Sequence, residues 1–340
     1  MTDWNVAWYR PEEHEEWDRV VAASGTGTFL HRRSFLAYHG DRFVDRSLVA
    51  RDDNGHIQGV FPAAQSPVDA NVVVSHPGAT FGGLLATPDV TGGPYLAMME
   101  CALRSWARAG YKTLKYKPVP AIYHTIPRED DRYALWILDA RVSQRALSAC
   151  IDLEHRLPAT ARRNRSLGKA RRANCSIEQG SAILPELWPV IEAALKERHN
   201  VRPVHTLEEM QYLALSFEPE IQCLGASLLG EFVGAVILFL SPQAAHVQYS
   251  LTSTAGMAVG AMDLLVEQAI EIARARRVRF FDFGISTDPS GTALNDGLHR
   301  FKTEFGAGAV VYEQYDIELG LYAADSLQKS GADLINIMRG

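Results

Sequence analysis

The same succession of elements occurs twice along this chain, and that repetition limits the fold more than any single motif does. In the first half, residues 44–51 and 55–64 read as a hairpin turned at Asp53-Asn54-Gly55. Residues 95–109 have helical spacing with Gly110 as a stop, and 113–117 alternates as a strand. In the second half, 223–229 and 232–240 form a hairpin around Gly230-Glu231, 245–251 is the next strand, 261–276 a helix and 278–283 a strand. The letters agree with the order. NGHIQGV at 54–60 resembles LGEFVGA at 229–235, and ARAGYKTLKY at 107–116 resembles ARARRVRFFD at 273–282. Such offsets are what an internal duplication leaves behind, and a chain of 340 residues has room for two cores of ordinary size. The expectation is an α/β (α+β, mixed-sheet) protein of two domains, 1–150 and 151–320, with a helical tail at 321–340.

Between the halves, residues 155–174 carry ATARRNRSLGKARRAN, read as a basic helix followed by a short strand at 176–178. Further helices are expected at 184–199 and 206–217, the latter capped by Thr206 with Glu209 three residues on. The formal charge of −6 leaves no chain-wide basic field, which argues against DNA and makes any phosphate site local. The opening MTDWNVAWYRPEEHEEW has no basic segment followed by an apolar one, so a signal peptide is not expected, and the longest apolar run, 232–240, is too short to span a bilayer. Cys101, Cys150, Cys175 and Cys223 lie far apart without a CxxC pair. They read as reduced thiols, which places the protein in the cytoplasm, and no metal is expected.

The segment YSLTSTAGMAVGAMDLL at 249–265 runs from a strand through two glycines directly into a helix. A loop of that kind can present consecutive N–H groups to a pyrophosphate, and it can equally be a plain strand–helix turn with glycines for packing. It has neither the Lys-Ser/Thr of a P-loop nor a G-x-G-x-x-G spacing. DFG at 282–284 lacks every other kinase signature. Asp282 alternates with Phe281 and Phe283, so its carboxylate faces away from both rings, as an orienting group, a base or a strand-end cap. Tyr249 lies on the strand feeding the glycine loop, as a proton donor or as core. Histidine titrates near neutrality and is the natural proton acceptor for a general-base step. His205 stands at a helix start, His199 six residues before it, and their spacing matches no zinc pattern.

Several phrases carry a family resemblance: HNVRPVHTLEEM at 199–210, AHVQYSLTSTAGMAVGAMDLL at 245–265, RFFDFGISTDPSGTALNDGLHRFKTEFGAG at 279–308, and VVSHPGATFGGLLATP at 73–88. They resemble the FemABX-like, tandem GNAT group of acyltransferases over most of residues 25–318. The resemblance implies two GNAT-like domains packed as a pseudo-symmetric pair. It implies that acyl-CoA is the donor, gripped by Ser250, Leu251, Gly256, Met257, Ala258, Val259 and Gly260. The usual leading Gln or Arg of that grip is absent here. It implies catalytic roles for His205, Asp282, Tyr249 and Lys302, the last facing the transferred carbonyl or a substrate phosphate, where a cation stabilises negative charge. Substrate contacts would come from His76, His199, Arg163, Arg165 and Lys169, the arginines holding the diphosphate of a nucleotide-linked amino sugar. A tRNA-dependent transferase acting on a cell-wall precursor is the alternative, disfavoured because no long charged helical insertion is present. A non-catalytic binding module is the third. Direct transfer is expected, since neither GxSxG nor a Cys–His pairing is evident.

Overall fold

A computed structural model describes residues 4–288 and 290–323. The chain divides into two compact units. One holds the residues up to Arg145 together with those from Tyr312 onward, and the other is Ala146–Val311.

The first unit contains β1 (Asn5–Trp8), β2 (Leu48–Arg51), β3 (Ile57–Phe61), β4 (Ala64–Gln65), β5 (Val72–Val74), β6 (Leu85–Ala86) and β7 (Thr113–Tyr116). Its helices are α1 (His14–Ala23), α2 (Arg33–Ala37), α3 (Gly93–Arg108) and α4 (Asp130–Ile137). The strands β1-β2-β3-β6 form an antiparallel sheet. The β2–β3 hairpin turns where expected, with the Asp52 carboxylate accepting from the N–H groups of Asn54 and His56. A second ladder runs β4–β5–β7, with β5 and β7 parallel. α3 buries Met98, Met99, Leu103 and Trp106 on one face, the i, i+4 spacing that the sequence displays.

The second unit opens with β8 (Arg141–Asp152), whose first residues still belong to the first unit. It continues through α5 (Ala161–Arg172), β9 (Ser176–Gln179), α6 (Leu184–His199), α7 (Leu207–Ser216), β10 (Ile221–Leu228), β11 (Glu231–Leu240) and β12 (Ala244–Thr252). After a short α8 (Thr254–Val259) come α9 (Ala261–Ala275), β13 (Phe280–Ile285) and α10 (Asp296–Thr303). The strand order is β8-β13-β12-β11-β10-β9, with β12 and β13 parallel and the other pairs antiparallel. α9 packs on the face that presents Val236, Leu238, Ala245, Val247, Phe281 and Phe283. α6 lies on the opposite face, where Trp188 meets Tyr249 edge to face at 5.8 Å. Thr206 and Glu209 close a capping box at the start of α7, as their spacing predicts.

β14 (Gly308–Glu318) begins in the second unit and returns to the first, pairing Tyr315–Glu318 with Tyr116–Thr113 of β7. No local signal announces that return, because pairing across two hundred residues is a tertiary fact. The proposed tail at 321–340 lies outside the described residues beyond Ala323.

Candidate active site

The parallel ladder between β12 and β13 is short. It joins Ala244 to Phe280, Ala245 to Phe281 and His246 to Asp282, and stops there. β12 continues to Thr252 and β13 to Ile285 without further pairing to each other. The two strands therefore part, and among the described residues the β13-facing backbone edge of β12 has no ladder partner beyond His246. On its other side β12 remains paired with β11, and that ladder carries an irregularity. Leu238 opposes Val247 while Ile237 opposes Tyr249, so Gln248 is an extra residue. A bulge shifts the alternation by one, and Tyr249 emerges on the same face as His246 instead of the opposite one. Period-2 reading of the sequence misses this.

Asp282 is fully buried on that face. Its carboxylate accepts from Ser148 Oγ at 2.5 Å, from the Gly284 N–H at 3.1 Å and from His246 Nδ1 at 2.8 Å. A carboxylate only accepts, so the proton sits on Nδ1 and Nε2 is the basic nitrogen of His246. Of the roles expected for Asp282 the orienting one fits this geometry, and the histidine it holds is His246, which is absent from the residues singled out in the sequence. A signal was available, since His246 and Asp282 stand two residues into their respective strands. His205 instead places Nδ1 at 2.8 Å from the Tyr249 hydroxyl. Burial pushes the Tyr249 phenol up to about 12, so the hydroxyl keeps its proton at neutral pH. Both residues lie on the α6 side of the sheet.

Lys302 of α10 is buried, and Nζ donates to the carbonyls of Gly284 and Ile285 at 2.8 and 2.7 Å. It caps the free end of β13. Burial lowers its pKa to about 8, opposed by the nearby Asp282 charge. Beyond β12, Arg198 Nη2 donates to the carbonyl of Thr252.

The glycine loop differs from the expectation. Ser253 caps α8 by accepting from the Gly256 N–H, the Met257 N–H donates to Ser253 O, and the Gly260 N–H donates to Met257 O. These amides are used inside the turn. A Cβ on Gly256 would lie 2.3 Å from Val233 O, and one on Gly260 would lie 2.6 Å from Ser166 O. Gly260 also has φ +81°, separating α8 from α9. The glycines are needed for close backbone approach. The amides that a first helical turn cannot satisfy are those of Thr254 and Ala255, upstream of Ala258 and Val259. Ser250 is exposed and Leu251 buried, both on the strand edge that faces the parting.

Arg163 is likewise corrected. It pairs with Asp263 at 3.0 Å and Glu304 at 3.2 Å, and its guanidinium lies 4.8 Å from the centre of the Phe301 ring. It pins α5 to α9 and α10 instead of reaching outward. Arg165 and Lys169 are exposed, on the flank of α5 that also carries Arg172. The side chain of His199 lies outside the described ones. His76, in the first unit, is buried at φ +58° with its ring 5.0 Å from that of His39, and burial drives its pKa down to about 3. It is a neutral core imidazole there. The first unit has a matching parallel pair in β5 and β7, but its opening is closed by its own chain. Lys117 N–H donates to Ser75 Oγ and Gly82 N–H to Lys117 O, at 2.7 and 3.0 Å.

Residues 155–302 match the family model described as acetyltransferase (GNAT) domain. These residues belong to the acetyltransferase (GNAT) domain family. Known structures extend the likeness in fold to the whole chain. A FemX crystal structure matches with TM-score 0.67 at 12% identity, over 93% of this chain and 98% of that one. L-PGS from Bacillus licheniformis matches with TM-score 0.60 at 14% identity, covering 98% and 97%. A tandem GNAT protein from the clavulanic acid biosynthesis pathway matches with TM-score 0.52 at 16%, covering 93% and 99%. The chain has the tandem GNAT fold. No curated protein sequence matches it. Among the described residues, no helix is long and apolar enough to cross a membrane. The cluster Asp152, Glu154 and His155 has metal-like spacing, but Arg279 already pairs with both carboxylates.

Proposed function

We propose that the chain is an N-acyltransferase moving an acyl group from acyl-CoA to the amine of a nucleotide-linked amino sugar by direct transfer. The observation that carries this reading is the parting of β12 from β13 directly above a buried carboxylate–histidine pair. A thioester laid along the unpaired edge of β12 meets backbone N–H groups between Gln248 and Leu251, which polarise its carbonyl and hold the developing oxyanion. His246, its tautomer fixed by Asp282, takes the proton of the attacking ammonium through Nε2. The nitrogen attacks the carbonyl carbon, the C–S bond breaks as the nitrogen releases its second proton to solvent, and the thiolate leaves. Tyr249, protonated and hydrogen-bonded to His205, gives its proton to that sulfur and regains one from solvent. Lys302 fixes the far wall by holding the Gly284 and Ile285 carbonyls. The residues of the α8 turn, Ser250 and Leu251 complete the donor side, and the exposed Arg165 and Lys169 supply cations for phosphate.

That basic flank of α5 also favours a second donor with more phosphates, an aminoacyl-tRNA. One experiment separates the two. Purified protein is mixed with acyl-CoAs and a panel of nucleotide-linked amino sugars, and free thiol is followed. Thiol release that depends on the sugar supports the reading. No release with any pair, alongside transfer from charged tRNA, overturns it.

A further inference from the structure

The first unit holds a cavity of about 580 Å³ in which acyl transfer has no part. It lies among the end of β1, the segment 45–47 that leads into β2, and the residues just after α3. The residues that line it are set apart from the closed β5–β7 pair. A concave space of this size suits a small organic molecule.

The polar part of the lining is built from buried groups. Arg33, the first residue of α2, is 8% exposed and still lines the cavity. Its Nη1 donates to Ser47 Oγ at 3.1 Å, its Nη2 donates to the Asp45 carboxylate, and its guanidinium lies 3.8 Å from the centre of the Tyr9 ring. Asp45 is engaged on both oxygens, since the second accepts from the Ser47 N–H at 2.7 Å. Arg33 and Asp45 therefore balance each other, and the remaining charge of the lining is that of Arg46. Arg46 donates through Nε to the Tyr111 hydroxyl at 2.5 Å and through Nη1 to the Asp45 carbonyl at 2.8 Å. Both partners are neutral, and among the described residues no carboxylate pairs with Arg46. The Tyr111 hydroxyl is itself fixed, donating to Gln65 Oε1 at 3.0 Å, so the guanidinium is held in one orientation with Nη2 to spare. Beside these groups the cavity presents the indole of Trp8, 42% exposed at the end of β1.

This lining selects its ligand by charge and shape. Two guanidiniums against one engaged carboxylate repel a cation. A neutral aliphatic molecule would strip water from Arg46 and return no hydrogen bond. We propose that the cavity binds a planar aromatic anion, with its negative group at Arg46 and its ring against Trp8. A guanidinium fork accepts a carboxylate or a phosphate, and an indole face accepts any flat ring. The site stands whichever donor the second unit uses.

The test titrates the full chain by ligand-observed NMR with indole-3-acetate, its neutral amide, uridine 5′-monophosphate and neutral uridine. At least one anion should bind, about ten-fold or more tightly than its neutral counterpart, as a hydrogen bond to a charged group provides. Whichever anion binds assigns the carboxylate or the phosphate. Arg46→Gln should erase the preference for charge. Trp8→Ala changes an exposed side chain and leaves Arg46 in place, so it should keep that preference while weakening the anion about ten-fold. Arg165→Glu/Lys169→Glu should leave the affinity unchanged, which separates this cavity from phosphate binding on α5. Should Arg46→Gln fail to fold, as its Tm would reveal, Trp8→Ala decides alone. The proposal is overturned if neither anion binds, if the charge preference survives Arg46→Gln, if Trp8→Ala binds like the parent, or if the α5 variant loses the ligand.

Discussion

The carboxylate of Asp282 and the Nδ1 of His246 lie 2.8 Å apart across the last rung of the parallel ladder between β12 and β13. Beyond that rung, among the described residues, β12 and β13 no longer pair with each other. The pair stands where the two strands part, so the histidine reaches the opening while the carboxylate stays fully buried behind it. Asp282→Asn keeps the shape and removes the charge that fixes the tautomer. It should lower kcat by about 100-fold or more, the range of general-base contributions, with the donor KM unchanged. Steady-state thiol release reads both numbers. A matching rise in donor KM would instead place Asp282 in the donor pocket.

Lys302 ties function to pH. Its pKa is lowered to about 8 by burial, so its charge is lost as pH rises through that value. If the ammonium form holds the end of β13, activity should decline above about pH 8. Lys302→Arg cannot deprotonate and should lack that limb. The sign for stability is opposite. Below about 8 both the folded and unfolded states carry the proton, and the burial penalty is present in full. Between about 8 and 10.5 only the unfolded state binds it, so this group makes folding more favourable as pH rises, by at most about 3 kcal/mol. The stability difference between the parent and Lys302→Met, measured from pH 7 to 10, should therefore shift toward the parent.

Gly256 and Gly260 separate packing from phosphate binding. An alanine Cβ at 256 would meet the Val233 carbonyl, and at 260 it would meet that of Ser166 at a positive φ. Gly256→Ala and Gly260→Ala should each cost about 1–3 kcal/mol, the usual range for overpacking, and thermal unfolding should show Tm lowered by several degrees. Intact stability with lost donor affinity would return the phosphate role to these glycines.

The Tyr249 phenol is held protonated by burial and touches His205. Tyr249→Phe removes the proton offered to the leaving thiolate and should lower kcat by about 10- to 100-fold with little change in either KM. A donor with a better leaving group, such as an aryl thioester, should narrow the gap. An equal loss with both thioesters would make Tyr249 a packing residue.

Much of this fold was legible because its elements are local. The hairpins at Asp53-Asn54-Gly55 and Gly230-Glu231, the capped α7 and the amphipathic α3 and α9 each carry their signal within a dozen residues. β8 and β14 were not seen. Arg141–Asp152 is a polar-fronted strand, and the partners of Tyr315–Glu318 lie two hundred residues away. At the site, Asp282 and Tyr249 stood out by type and position. His246 did not, because what distinguishes it is a strand register, and the bulge at Gln248 that brings Tyr249 to its side is a one-residue slip invisible to periodicity. The basic helix misled in the opposite direction. Six cations in eleven residues look like a binding surface, yet the one nearest its centre of packing, Arg163, is structural.

Arg163 yields the sharpest contrast with the sequence reading. Its side chain is 12% exposed, and it faces Asp263, whose own side chain is 5% exposed and whose pKa is raised by burial. Arg163→Ala would leave that carboxylate without its paired guanidinium, held by Ser166 Oγ at 2.8 Å. Removing one partner of a largely buried pair costs about 3 kcal/mol, so the variant should unfold at markedly lower denaturant. Arg163→Ala/Asp263→Ala removes both charges and should recover part of that loss. The acceptor KM should not change in either variant. Arg165→Glu/Lys169→Glu should do the reverse, leaving Tm unaltered while weakening the phosphate-bearing substrate by about ten-fold and more strongly at low salt. A rise in acceptor KM on losing Arg163, at unchanged stability, would restore it to the binding surface.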